Sequence, residues 1–156
     1  MMSIIVKMMT PNKPAETFKN GIRRAWLEEN RIALIITSGD PSREAIDTWA
    51  QVTTSTIRHW SPDDPIILLH DFTNLDMGIM PYVYRRADDV YATMPKGQCG
   101  YNAVVLGSGI FNNVLSVFVG RLRGRHRNLK EQLFTTREDA HTWLHNQMRT
   151  ASTTIA

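Results

Sequence analysis

The sequence predicts an α/β fold: a single mixed, mostly parallel sheet of about five strands packed by about four helices, in the order β-β-α-β-α-β-α-β-α. Three features carry this expectation. Short aliphatic runs recur along the chain, and between them lie longer segments whose apolar residues fall three and four positions apart. Gly, Pro, Asp and Asn punctuate the changes from one kind of segment to the other. The first two runs stand so close together that only a hairpin joins them. Later strands are separated by helices and should run parallel with right-handed crossovers.

Residues 21–28 and 31–37 are the opening pair, joined at Glu29 and Asn30, with Asn30 suited to positive φ. The first strand mixes Arg23 and Arg24 with apolar residues, as an edge strand with one wet face does. The second is almost wholly aliphatic, as expected of a strand covered on both sides. Ser38-Gly39-Asp40-Pro41 then turns the chain, with Asp40 as helix cap and Pro41 in the first helical position. The first helix places Ile46, Trp49, Thr53, Ile57 and Trp60 on one stripe, and Ser61-Pro62-Asp63-Asp64-Pro65 stops it.

Residues 66–71 form the third strand. The second helix carries Met80, Val83, Ala87, Val90 and Met94 on its inner face and Arg85, Arg86, Asp88 and Asp89 outside. Residues 100–106 are the fourth strand, leaving through Gly107-Ser108-Gly109 into a third helix over 110–124. That helix is apolar around more than one face. The closing strand is 132–134. Thr136 caps the last helix with Asp139 three residues on, and Ala140, Trp143, Leu144 and Met148 form its inner stripe. Residues 1–14 read as a flexible arm, 15–149 as one domain and 150–156 as a frayed tail.

Composition narrows the function classes. With 156 residues, 42% of them hydrophobic, the chain is long enough to bury a core unaided. One cysteine, Cys99, excludes an internal disulfide or a multi-thiolate zinc site and points to the cytoplasm. No apolar run reaches the length of a membrane helix, and the first nine residues lack the features of a secretory signal. The net charge of +3 is mild, but Arg121, Arg123, Arg125, Arg127 and Lys130 concentrate it in one stretch. Without interleaved aromatics this basic run argues against nucleic acid and leaves an acidic protein, an anionic membrane surface or plain solvation.

The segments 31–39, 66–71 and 103–107, together with Phe134, Asp139, Ala140, Trp143 and Leu144, resemble the STAS superfamily, and within it the SpoIIAA-like proteins. The resemblance covers residues 17–148. It implies an interaction domain or a small apolar-ligand module, not an enzyme. The turn in which anti-sigma-factor antagonists of that family carry a phosphorylated serine is here Asn74-Leu75-Asp76-Met77-Gly78-Ile79. Met77 stands between Asp76 and Gly78, so no phosphosite is carried across.

The expected function is therefore a non-catalytic interaction domain, self-associating as a homodimer or binding another protein. Its surface would be the third helix and following loop: Phe111, Val114, Leu115, Phe118, Arg121, Arg123, Arg125 and Arg127. The alternative is a carrier of an apolar small molecule lined by Met80, Met94, Phe111 and Phe118. A small enzyme using Cys99 or His70 is the lesser alternative. His70 and Asp71 point to opposite faces of a strand, which suits structural roles at the carboxyl edge, where α/β sheets gather ligands if strand order reverses. Gly107-Ser108-Gly109 lacks the dinucleotide fingerprint, its third glycine position falling on Asn112, so no cofactor is expected. His141 and His145, four apart, are expected as exposed residues flanking a buried Trp143, with no third metal ligand in view.

Overall fold

A computed structural model describes Pro11, residues 13–122 and residues 128–154. One six-stranded sheet holds β1 (Glu16–Thr17), β2 (Ile22–Leu27), β3 (Ile32–Thr37), β4 (Ile66–Phe72), β5 (Gly100–Leu106) and β6 (Leu129–Phe134), side by side in that order. Four helices accompany it: α1 (Arg43–Arg58), α2 (Met80–Tyr91), α3 (Ser108–Leu122) and α4 (Arg137–Thr154). The α/β class is as read from the sequence. The sheet is mixed, with β1, β2 and β3 antiparallel and β3 to β6 parallel.

The sixth strand is a correction to the expected five. β1 has two residues, too few to show a period, and it is held by a cross-strand pair. Glu16 sits opposite Arg24, whose Nε and Nη2 donate to the two carboxylate oxygens at 2.8 and 2.9 Å. That fork holds the Glu16 carboxyl below its usual pKa.

Several boundaries also differ. The β2–β3 connection is not a two-residue loop: Glu28, Glu29 and Asn30 all adopt positive φ (49°, 57° and 68°). Ser42, not Asp40, caps α1, its Oγ accepting from Ala45 N at 3.1 Å. β6 begins at Leu129, because Lys130 and Gln132 face solvent while Leu133 is buried, an alternation hidden inside a charged stretch. Helix α4 runs through Thr154, well past the expected start of a tail at Thr150, with Met148 buried and Ala151 half-buried beneath it. Its cap is as expected: Asp139 N donates to Thr136 Oγ1 at 3.2 Å.

The strand order fixes the layers. Parallel strands that follow one another in sequence, joined by crossovers of one hand, send α1, α2 and α3 over the same face. There Ile46, Trp49, Ile57, Met80, Val83, Val90 and Val114 pack on Ile35, Leu68, Phe72, Val104 and Leu106. Among the described residues, helix α4 alone covers the other face, placing Ala140, Leu144 and Met148 against Leu34, Ile67, Leu69, Ala103 and Val105. Every residue of β3 and β4 is buried in consequence.

Candidate functional site

The carboxyl edge of the sheet does not form a ligand crevice of the doubly wound kind, because strand order never reverses along it. His70 and Asp71 enter separate networks on opposite faces. His70 is fully buried beneath α1, where its Nδ1 accepts a hydrogen bond from Trp49 Nε1 at 3.0 Å, and its ring stacks on Phe72. An accepting Nδ1 leaves the proton on Nε2, so the ring is neutral. Burial drives its pKa down to about 3, with the Asn102 side chain opposing the shift. Asp71, on the α4 face, accepts from Thr73 N and Thr73 Oγ1 through Oδ1 and from Arg137 Nε through Oδ2. Each residue is thus bound to a different neighbouring element, in line with their opposite orientation on the strand.

The sequence reading missed what lies beside His70. Cross-strand register sets Asn102 of β5 next to Glu131 of β6. Asn102 Nδ2 donates to Glu131 Oε1 at 2.6 Å and to Tyr91 Oη at 2.5 Å, and the Tyr91 hydroxyl donates to the same carboxylate oxygen at 2.5 Å. Burial raises the pKa of Glu131, and burial with the neighbouring carboxylate pushes Tyr91 well above its ordinary value. A row of polar groups thus runs from Trp49 through His70 and Asn102 to Tyr91 and Glu131, inside an otherwise apolar layer. Two enclosed atoms in it, His70 Nε2 and Asn102 Oδ1, have no bond within normal hydrogen-bond geometry, although the side chains are close enough to influence each other. The one sequence signal was Asn102 itself, a polar residue in an apolar strand.

On the α4 face, the expectation for the two histidines is reversed. His141 is buried, His145 is partly so, and Trp143 is half-buried against Phe134 with ring centroids 5.8 Å apart. Both imidazoles address Glu28 at the end of β2: Glu28 Oε1 lies 3.1 Å from His141 Nε2 and 2.8 Å from His145 Nδ1. Glu28 is itself almost completely covered, and its Oε2 is enclosed without a hydrogen bond. Burial lowers the pKa of His141, and Glu28 acts against that shift. The third partner that the sequence did not reveal is therefore a carboxylate from the strained hairpin turn. Among the described residues no group of three or more His, Cys, Asp or Glu is placed to hold a metal ion. The cluster is a polar clasp between hairpin and helix.

The surface expected on α3 is only partly within view. Val114 is buried and Phe111 half-buried in the core, while Leu115 is 37% and Val117 41% exposed. The side chains of Phe118 and Arg121, and residues 123–127 with Arg123, Arg125 and Arg127, lie outside the described residues. Of the residues expected to line an apolar cavity, Met80, Met94 and Phe111 all belong to the core under α1 to α3. Met80 opens α2 and is buried in the core, while Met94 follows the helix end, partly buried against the same cluster. Cys99 is an exposed thiol in the turn before β5, its carbonyl accepting from Ile66 N. Gly107 leads directly into α3 as a plain strand-to-helix turn.

One further concavity was not expected. A cleft of about 390 Å³ opens at the opposite end of the parallel strands, between the β2–β3 turn, the loop after α1 and the last turns of α4. Trp26 and Trp60 meet in it with ring centroids 5.7 Å apart.

No family model, curated protein or solved structure matches the chain. Among the described residues no helix is long and apolar enough to cross a membrane.

Proposed function

We propose that the protein is a non-catalytic interaction domain of the SpoIIAA-like, STAS kind, which associates with a second copy of itself through α3. The observation that carries this reading is the imbalance of α3. It is a markedly apolar helix, yet of its residues up to Val117 it buries only Val114 fully and leaves Leu115 and Val117 in solvent. Leu115 lies one turn beyond half-buried Phe111, so the two present a continuous apolar strip beside the edge strand β6. The hairpin opening and the straight succession of strand-helix units agree with the resemblance in residues 17–148.

A non-catalytic role is supported by the separate engagement of the polar residues best placed for chemistry. His70 is held by Trp49, Asp71 by Thr73 and Arg137, and the Cys99 thiol stands in an exposed turn. A single free cysteine and the lack of a spanning helix among the described residues suit a cytoplasmic location.

Light scattering of the purified chain is expected to give the mass of a dimer, and Leu115→Glu to weaken association at least about tenfold by burying a charge in the contact. Circular dichroism should show the variant folded, because Leu115 contributes little to the core. A strict monomer at high concentration, or a Leu115→Glu variant that dimerises as well as the parent, overturns the proposal.

A further inference from the structure

The cleft at the amino ends of the parallel strands has the chemistry of a receptor. Its floor is apolar, formed by Ile67, Met148 and Ala151, and its aromatic corner is Trp26 with Trp60. The corner is fixed in advance. Trp60 Nε1 donates to Pro65 O at 2.9 Å, and Gln98 Nε2 ties down the rim by donating to Ser61 O at 2.9 Å and Asp64 O at 2.7 Å. A site so braced loses little on binding.

Its acidic groups are two aspartates. Asp63 and Asp64 stand exposed on the rim, and neither is salt-bridged to a described residue. His59 caps the carboxyl end of α1, and its Nδ1 lies 2.8 Å from Ser55 O. A carbonyl only accepts, so that nitrogen carries a proton and is spent within the helix end. The helix end adds the negative pole of its dipole. The one arginine or lysine among the described residues of the wall, Arg31, is already engaged: its Nε donates to Glu28 O at 3.3 Å and its Nη2 lies 3.7 Å from Glu28 Oε2. Arg24 lies 5.6 Å from the Trp26 ring, leaving Trp60 as the open aromatic surface.

We infer that this cleft binds a small organic amine in its ammonium form, with the charged head between Asp63 and Asp64 near the carboxyl end of α1 and the carbon chain against Trp60 and Met148. An ammonium supplies three donors to the two carboxylates and interacts favourably with an indole face. A carboxylate or phosphate of the same size would face two like charges and a helix carboxyl end. The inference does not rest on self-association, since α3 contributes nothing to the cleft.

The test is titration of the full chain with n-butylammonium chloride, followed by tryptophan fluorescence and calorimetry, with sodium butyrate as the probe of opposite charge. Saturable one-to-one binding of butylammonium is expected, without saturation by butyrate. The double variant Asp63→Asn, Asp64→Asn should weaken binding about tenfold, through loss of charge at exposed positions that leave the fold intact. Trp60→Phe should remove the fluorescence response while calorimetry still reports binding. Absence of saturable butylammonium binding, equal binding of butyrate, or an unchanged affinity in the double variant overturns the assignment.

Discussion

Acid is expected to unfold this protein through His70. Unfolded, the ring takes up a proton near its ordinary pKa of 6.5; folded, burial holds it neutral until about pH 3. Between those values the unfolded chain binds more protons than the folded one, so stability falls as pH falls. The slope is about 1.4 kcal/mol per pH unit, which over the whole window reaches on the order of 4–5 kcal/mol. That is comparable with the entire stability of a modest domain. His141, also lowered by burial, acts in the same direction. Glu131 acts in the opposite one: its raised folded pKa makes the native state take up a proton first, adding stability as pH falls toward 4.5. Ordinary carboxylates titrate below about pH 5, so the range from 6.5 to 5 is the one to read, and comparison with a His70 variant separates its share from those of His141 and Glu131. Urea denaturation across that range should show the midpoint dropping steadily with an unchanged m value. His70→Asn, which cannot titrate, should start less stable and show a distinctly shallower pH dependence. A flat parent profile over that window rules out His70 as the acid-sensitive element.

The same residue marks where sequence reasoning stops. Strands β3, β4 and β5 were legible because a run with both faces covered is apolar throughout, and α4 because Thr136 and Asp139 form a local cap. What was lost depends on residues far apart in the chain. Glu28 and His145 are 117 positions apart, and only the docking of α4 on the hairpin side of the sheet brings them to 2.8 Å. Glu131 follows directly on the basic run, and only its register with Asn102 turns it inward. Trp60 carries the spacing of a core residue on α1, but the helix stops at Arg58, and the ring swings out to form the cleft with Trp26. The exposure expected for His141 failed because α4 lies over a hairpin that supplies a carboxylate, which no periodicity reveals.

Gly21→Ala is expected to be the most damaging small substitution in the fold. Gly21 has φ of +74°, and a Cβ built there would lie 2.4 Å from Gly39 N and 2.7 Å from Gly39 Cα. Both are backbone atoms, so no side chain can rotate to make room. The approach is held by Ser38, whose N and Oγ donate to Gly21 O at 2.9 and 2.8 Å. Since β3 ends at Thr37 and α1 begins at Arg43, this junction fixes both the start of β2 and the turn that sends α1 over the sheet. Gly97 provides the control. Its φ is +82°, yet an added Cβ there meets nothing within 4 Å. Gly97→Ala should therefore cost only the left-handed strain of an L-residue, about 1 kcal/mol. Gly21→Ala adds a forced separation of two backbones and should cost about 3 kcal/mol or more. Chemical denaturation of the two variants separates the contributions. Equal losses would mean that the chain relaxes freely at Gly21, and that the β2 start is not pinned to the end of β3. A much larger loss at Gly21, with the circular dichroism of the residual folded fraction unchanged, locates the constraint in backbone contact and not in the conformation of a single residue.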